Sequence, residues 1–306
     1  MKKNRFILFI VMAIAVQISF TSCQKEGVFR PDKKISAIYE STEYTYEGDD
    51  LGSTPKTLTE RWIWGKKDLE KIVLYSGNTE SGTLNFSYDK GQLTEMTSSS
   101  SSFSSSAKLH YKNSKLTRIE TFLGSIPVSV VEILERNNGK ITKMSISLGS
   151  MYLKTTSNEV DILKRQMSII SRFFFTDKIG DQFSKMITEN SKSENLGEPV
   201  EINLTYSGDN VTVSKIVTSE THFQHDNKNN PFYNALGGTE GAGYNSSMFS
   251  KNNITKITIR YLPENNIEEE NFEYKYDGDW PIEKIQTILL SPLDASIITK
   301  THYEYK

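Results

Sequence analysis

The chain has 306 residues, a formal net charge of −2 and one cysteine. This length suits one large domain or two smaller ones, and the slightly acidic balance argues against a nucleic-acid partner. A single cysteine excludes an internal disulfide and any metal site built from several thiolates.

The first residues have the pattern of an export signal. Lys2, Lys3 and Arg5 precede an apolar run over residues 6–20, and small residues lead to Cys23. Residues 20–23, Phe-Thr-Ser-Cys, resemble a bacterial lipobox, in which the cysteine receives a diacylglycerol and becomes the first residue after cleavage. We predict a signal peptide over residues 1–22 and a lipid anchor on Cys23. An ordinary signal peptide with an incidental cysteine is the alternative.

The residues after Cys23 predict a short tether. Residues 23–34 are polar and contain Pro31, which indicates a spacer that lifts the folded domain off the membrane. Once the signal is removed, 33 Lys and Arg face 38 Asp and Glu, a net charge of −5, which argues against a polybasic membrane face. We expect a cell-envelope protein anchored to the outer membrane, and the residues leave open which face of that membrane it occupies.

A short pattern recurs through the chain: an aromatic residue, an aliphatic residue five positions later and another three positions after that. The first four copies are about 24 residues apart, which is typical of a repeat architecture. The copies with this spacing are Trp64, Leu69 and Ile72; Tyr88, Leu93 and Met96; Tyr111, Leu116 and Ile119; Arg136, Ile141 and Met144 without the aromatic; and Phe249, Ile254 and Ile257. Tyr206, Val211 and Ile216 form a looser copy with a longer second gap, and Tyr276, Ile282 and Ile285 form a copy with one extra residue before the first aliphatic position.

Each copy has the features of a β-hairpin. Residues 83–89 alternate between apolar and polar side chains, as a half-buried strand does. Asn, Asp and Gly, which tolerate a positive φ, lie between the aromatic and the first aliphatic residue. The sequence therefore predicts an all-β, antiparallel up-and-down meander of about twelve to sixteen strands that is closed or strongly coiled.

One segment departs from this pattern. Residues 157–175 place apolar side chains at helical spacing, and residues 181–190 can continue as a second short helix. We predict a single β domain over residues 35–306 with a helical insertion at about 157–193. The insertion is either a cover for the apolar face or a lid over a cleft, and a strand over residues 167–175 is also possible.

The chain offers few groups that indicate chemistry. His222, His225 and Asp226 share the sequence HFQHD, but residues i and i+3 of a strand point to opposite faces, so a metal site is not expected. No motif of a nucleotide-binding, hydrolytic or metal-dependent enzyme occurs, and no cofactor is predicted. A hydrolase with converging acidic residues is the least favoured function.

The aromatic residues are the better candidates for a binding site. Trp62 and Trp64 are two positions apart and share a strand face, where rings either stack on a sugar or complete a core. Residues 223–236, FQHDNKNNPFYNAL, add a polar and aromatic element in which we select His225, Asp226, Phe232 and Tyr233 as further candidates.

These features resemble a known group of proteins. The repeated Y-D-x-x-G-x-L-x-x-I pattern behind a lipobox, residues 223–236 and the final THYEYK are similar to Bacteroidetes-type lipoproteins of unknown function with a porin-like fold. His225, where Tyr is expected, and the insertion are departures. The resemblance implies a barrel on a lipid anchor and no defined activity. We expect a binding module for a glycan, peptide or partner protein, with an envelope scaffold as the alternative.

Overall fold

The computed structural model describes residues 26–100, 104–148, 199–234, 249–290 and 295–306. The predicted signal peptide, Cys23 and the predicted helical insertion lie outside these residues. Within them, no helix is long and apolar enough to cross a membrane.

The described chain forms seventeen strands. They are β1 (Ile35–Tyr46), β2 (Asp49–Ser53), β3 (Thr57–Trp64), β4 (Leu69–Ser76), β5 (Thr79–Asp89), β6 (Gln92–Ser100), β7 (Ser104–Lys112), β8 (Lys115–Leu123), β9 (Ile126–Asn137), β10 (Lys140–Leu148), β11 (Val200–Ser207), β12 (Asn210–Ile216), β13 (Ser219–Asn229), β14 (Asn252–Tyr261), β15 (Ile267–Asp277), β16 (Trp280–Leu290) and β17 (Ala295–Tyr305).

The sheet closes into a barrel. From β3 onward each strand pairs antiparallel with the next along the chain, and β17 returns to pair with β1 from Ile35↔Tyr305 to Tyr46↔Ala295. β2 and β3 pair one after the other with the two halves of β1 and together act as one strand of the wall. The result is a closed antiparallel barrel of 16 strands, which confirms the predicted antiparallel meander and decides between the closed and the coiled sheet that the sequence left open.

The two ends of the barrel have different connections. We call the end where β1 begins and β17 finishes the proximal end; it carries the tight turns at 90–91, 113–114 and 138–139 and the connection 230–251. The distal end carries the turns at 47–48 and 217–218, and β10 and β11 leave and re-enter the barrel there. β10 therefore ends, and β11 begins, at the end of the barrel opposite to the 226–232 element.

A repeated β-bulge explains the spacing of the sequence pattern. In the second copy, Tyr88 lies directly opposite Leu93 and Phe86 opposite Met96, while Thr94 is an extra residue in its strand. The Thr94 hydroxyl donates to the Ser87 carbonyl at 3.1 Å. Because the bulge consumes one residue, the side chains five and eight positions after the aromatic point to the same face. Thr117 and Thr212 occupy the same place in their copies.

Two predicted copies need correction. In the last one, Pro281 lies opposite Tyr276 and is buried, whereas Ile282 occupies the bulge and is 40% exposed. In the copy before it, the residue opposite Ile254 is His225 rather than Phe249, because residues 230–251 are inserted into that hairpin. His225 therefore stands at the aromatic position of its unit.

The apolar face of the sheet is the inside of the barrel. Phe232, from the connection between β13 and β14, contacts Trp62 on β3 and Tyr303 on β17. These residues belong to one core cluster with buried residues of strands all around the barrel, which only the interior can bring together. The aliphatic residues of the repeat, such as Ile72 and Leu93, are buried in the same cluster. Burying a side chain of this size contributes about 1.5–3 kcal/mol, so the repeat is first a core pattern.

The outer face carries paired charges. Salt bridges join neighbouring strands around much of the wall, as between Lys275 and Glu283 at 2.6 Å and between Lys143 and Glu201 at 2.9 Å. Further pairs on this face are Lys215–Glu220, Lys256–Glu269 and Lys300–Glu43. The outside of the described barrel is therefore polar and charged where the inside is apolar.

Candidate functional site

The aromatic positions of the repeat form a ring at the proximal end. Two hydroxyls fasten it to the neighbouring hairpins: Tyr111 donates to the Leu93 carbonyl and Tyr305 to the Pro281 carbonyl, each at 2.7 Å. Burial raises the pKa of Tyr111 and of Tyr88, which keeps both hydroxyls protonated. The ring therefore joins successive hairpins through donors that do not titrate near neutral pH.

Arg136 is the ring position without an aromatic residue, and it binds an acidic residue from the start of the described chain. Its guanidinium lies 2.9 Å from the Glu26 carboxylate and also donates to the Leu116 carbonyl. The Leu116 amide donates to the same carboxylate at 2.7 Å. Both charged side chains are about one-fifth exposed, so this charge-assisted pair is partly shielded from water.

Residues 26–34, which we call the N-terminal segment, lie across the proximal end. The Gly27 carbonyl accepts a hydrogen bond from the Leu93 amide at 2.8 Å. Gly27 has φ of +73°, and a Cβ at this position would overlap the Tyr111 hydroxyl. A glycine is needed here both for its conformation and for the close approach of the segment to the ring.

Basic residues fix the rest of the N-terminal segment to the rim. Arg30 binds Asp68 at 2.9 Å, in the turn between β3 and β4, and Lys33 binds Asp277 at 3.0 Å, at the end of β15. Each pair is exposed and weak alone, but together they place the segment on the barrel. Residues 26–34, which belong to the predicted tether, are therefore held against the barrel.

Five rings form an aromatic cluster inside the proximal end. Its members are Phe29, Trp62, Trp64, Phe232 and Tyr303, with ring centroids 5.6–6.4 Å apart. Trp62 and Trp64 do share a strand face, as predicted. All five side chains are buried, so the cluster packs the N-terminal segment and residues 230–234 into the mouth of the barrel.

Asp226 holds the 226–232 element in place. Its carboxylate accepts hydrogen bonds from the backbone amides of Lys228 and Asn253, from the Asn253 side chain at 3.1 Å and from the Tyr276 hydroxyl. These donors occupy both carboxylate oxygens. Asp226 thus acts as a structural acceptor that joins three strands.

His225 lies inside the barrel beside a buried serine. Its Nε2 is 3.1 Å from the hydroxyl of Ser250, which is fully buried and also accepts the Val211 amide at 3.1 Å. Burial lowers the pKa of His225, an effect that the neighbouring Asp226 partly opposes. The neutral ring can accept the serine proton. His222, three residues earlier, points outward to Glu220 at 2.7 Å.

The structure brings the predicted binding residues together at the proximal end. Trp62, Trp64 and Phe232 belong to the aromatic cluster, His225 and Asp226 to the polar contacts beside it, and Tyr233 is half-buried next to them. Burial raises the pKa of Tyr233. Binding of a ligand by this set stays a prediction. Within the described residues, no group of three His, Cys, Asp or Glu is arranged to hold a metal.

The distal end exposes large apolar side chains instead of burying them. Val217 is 80% exposed, Leu51 67% and Ile267 56%. We call the exposed apolar residues of this end the distal rim: Tyr44, Tyr46, Leu51, Val217, Ile267 and Ile288. They come from connections or strand ends that follow one another around the barrel, so they lie along one side of its mouth.

The two ends also differ in charge. The proximal turns from β3 to β8 expose the lysines Lys66, Lys67, Lys90 and Lys112. The distal connections expose the acidic residues Glu47, Asp49, Asp50, Glu80 and Glu264. Asp89 is also exposed on the proximal turns from β3 to β8, but lysines outnumber it there. These proximal turns are therefore more basic than the distal connections.

The chain was compared with known proteins. No family model and no curated protein sequence matches it. Among solved structures, it is similar to a porin-like protein from Bacteroides uniformis, with 11% identity and a TM-score of 0.44 over 89% of this chain and 98% of the other. It is also similar to a porin-like protein from Bacteroides vulgatus, with 8% identity and a TM-score of 0.37 over 90% and 99% of the two chains.

Proposed function

We propose that this chain is a cell-envelope lipoprotein whose barrel presents the distal rim to a protein partner. The observation that carries the proposal is the exposure of apolar side chains on successive distal connections, led by Val217 and Leu51. Exposed apolar side chains that are grouped on one side of a protein and have charged residues around them are typical of an interaction site. The lipid on Cys23 holds the barrel at the membrane.

The acidic residues around the distal rim indicate the chemistry of the partner surface. Glu47, Asp49 and Asp50 surround Leu51 on the β1–β2 hairpin, and Glu264 lies beside Ile267. A partner surface that combines apolar and basic residues complements this arrangement, because opposite charges around an apolar centre steer association and exclude other partners. A glycan is less well supported, since the rings that would stack on a sugar are buried in the aromatic cluster.

The polar outer wall supports a barrel that lies beside the membrane. A barrel that spans a bilayer needs an apolar outer band about 25 Å tall. Salt bridges such as Lys143–Glu201 and Lys275–Glu283 lie on this outer face. We infer that the lipid rather than the barrel wall enters the bilayer.

Mass spectrometry of the mature N-terminal peptide tests the anchor. We expect a diacylglycerol-modified Cys23 in the wild type and release of the protein from membranes in Cys23→Ala. An unmodified cysteine in a membrane-bound protein would contradict this part of the proposal.

Site-specific photo-crosslinking in intact envelopes tests the partner surface. A photoreactive residue at Val217 or Leu51 is expected to crosslink one protein, and one at the exposed proximal residue Asn137 is not. The crosslink should weaken when Asp49 and Asp50 are changed to Lys. The same products from all three positions, or a crosslink that ignores the charge reversal, would contradict the assignment.

A further inference from the structure

We propose that the N-terminal segment fixes the barrel with its proximal end on an anionic lipid surface, so that the distal rim points away from the membrane. This inference rests on the proposed lipid anchor at Cys23. It adds an orientation and a lipid class, neither of which follows from the anchor alone, because a free tether would let the barrel turn in any direction.

The first support is the position where the N-terminal segment is held. Glu26 is bound by Arg136 and by the Leu116 amide, and Lys115 lies 3.6 Å from its carboxylate. The Glu26 amide donates to the Ser114 carbonyl at 3.1 Å, and Gln92 donates to the Glu26 carbonyl at 2.9 Å. Backbone and side chain are both attached, so residue 26 has a fixed place on the proximal rim.

The second support is the length of chain that remains. Only residues 24 and 25 separate Cys23 from Glu26. Three residue steps span at most about 11 Å even when fully extended. The lipid-bearing cysteine therefore lies within that distance of the proximal rim, whereas the distal end is roughly 25 Å away along tilted strands of about ten residues.

The third support is the charge that faces the membrane in this orientation. Lys90 and Lys112 lie on the two turns that flank the Glu26 site, and Lys66 and Lys67 lie on the next turn around the barrel. All four are exposed, as is Asp89 beside Lys90, so lysines outnumber exposed acidic residues on these turns. A lysine near an anionic surface strengthens membrane binding about fivefold. The reverse orientation would bring Glu47, Asp50 and Glu264 to the lipid headgroups, which anionic lipids repel.

Depth-dependent quenching measures the orientation. Cysteine is introduced at Asn137, beside the proximal turn 138–139, or at Asn78, in a distal turn; both positions are exposed. Because the lipid occupies the sulfur of Cys23, each variant has one free thiol for a fluorophore. The full lipoprotein is reconstituted into phosphatidylcholine vesicles with 30% phosphatidylglycerol and a headgroup quencher. We expect strong quenching at Asn137 and little at Asn78; equal quenching at both would overturn the orientation.

Variants that release the N-terminal segment from the barrel test the role of that segment. Glu26→Gln and Arg136→Gln each remove the charge pair, and we expect the difference in quenching between the two positions to shrink while the protein still floats with vesicles. Unchanged quenching in folded variants would overturn the role of the segment. Failure of the wild-type protein to float would instead contradict the lipid anchor, so the two proposals fail in different ways.

The lipid class has its own test. Lys66, Lys67, Lys90 and Lys112 are changed to Gln, and the control changes Glu47, Asp49, Glu80 and Glu264 to their amides. Vesicle binding of unlipidated Cys23→Ala protein is compared with and without phosphatidylglycerol. We expect the lysine changes to abolish the preference for phosphatidylglycerol and the control to keep it. The control could instead raise the preference for phosphatidylglycerol by as much as the lysine changes lower it. That result would show that only net charge matters, and it would overturn the lysine site.

Discussion

The two ends of the barrel use the same repeat differently. At the proximal end, the apolar side chains that face the interior are covered by the N-terminal segment and by residues 230–234, and hydrogen bonds fasten the ring of aromatic residues. At the distal end, Val217 in the 217–218 turn and Leu51 on β2 stay exposed. The proximal end therefore contributes to stability, whereas the exposed distal end is where we propose that a partner binds.

The largest expected effect on stability comes from truncating a buried apolar side chain, compared with truncating one on the distal rim. Ile72→Ala should lower the free energy of unfolding by about 2–5 kcal/mol, because a fully buried side chain leaves a cavity. Leu51→Ala on the distal rim should change it by about 0.5 kcal/mol or less. Urea denaturation followed by circular dichroism measures both. Equal losses would show that the distal rim is covered in the folded protein.

The next largest difference in stability is expected between two carboxylate variants, one at each end of the barrel. Asp226→Ala removes an acceptor for four donors and should cost about 2–4 kcal/mol. Asp50→Ala, on the distal hairpin, loses one exposed hydrogen bond to the Gly52 amide and should cost about 0.5 kcal/mol. Thermal unfolding at one pH compares them. A similar loss of stability in both variants would contradict the stabilising role of Asp226.

The pH dependence of stability provides a smaller test of the proximal interior. Burial holds the pKa of His225 below its ordinary value, so the unfolded chain takes up the proton first. The free energy of unfolding should therefore be highest above about pH 6.5 and fall as the pH drops from there toward the lowered pKa of the folded state. His225→Phe should lose this part of the decline. The same slope in both proteins between pH 7 and pH 5.5 would contradict a buried neutral ring.

The bulge threonines should give the smallest effect. Thr117→Val removes the hydroxyl that donates to the His110 carbonyl at 3.1 Å and should cost about 0.5–1 kcal/mol. Thr94→Val and Thr212→Val should behave alike, because the same contact recurs in each unit. A thermal melt of the three variants checks this. A cost in only one of them would show that the bulges are not equivalent.

The sequence predicts the architecture because the repeat is local. Tyr88, Leu93 and Met96 lie within nine positions, and the turn residues between them are compatible with a two-residue hairpin loop, in which Lys90 and Gly91 both have positive φ. The number of copies predicted a sheet that is closed or strongly coiled and left the choice between the two open. The bulge was not predicted, because strict alternation would point residues five and eight positions after the aromatic to opposite faces. Ile282 was misplaced because Pro281, which is not an aliphatic residue of the pattern, occupies the position five residues after Tyr276.

The site is harder to predict because its contacts are distant in sequence. Glu26 and Arg136 are 110 positions apart, and nothing near either residue indicates the other. One signal was present: Arg136 replaces the aromatic in a repeat that otherwise keeps its spacing. Trp62 and Trp64 were selected as candidate binding residues with a core role as the alternative, and their burial involves Phe29 and Phe232, which come from two other parts of the chain. The distal rim was not identified, since exposed Val and Leu in turns look like ordinary strand residues.

Amide hydrogen exchange tests the closed proximal end most directly. The amides of Leu93 and Leu116 donate to Gly27 and Glu26 of the N-terminal segment. Loss of the charge pair in Glu26→Gln should weaken the local structure by about 1–2 kcal/mol and speed exchange at these two amides about 5–30-fold. Exchange at Thr221, which lies on β13 toward the distal end, should not change. Unchanged rates at Leu93 and Leu116 in the variant would contradict an N-terminal segment that closes the barrel.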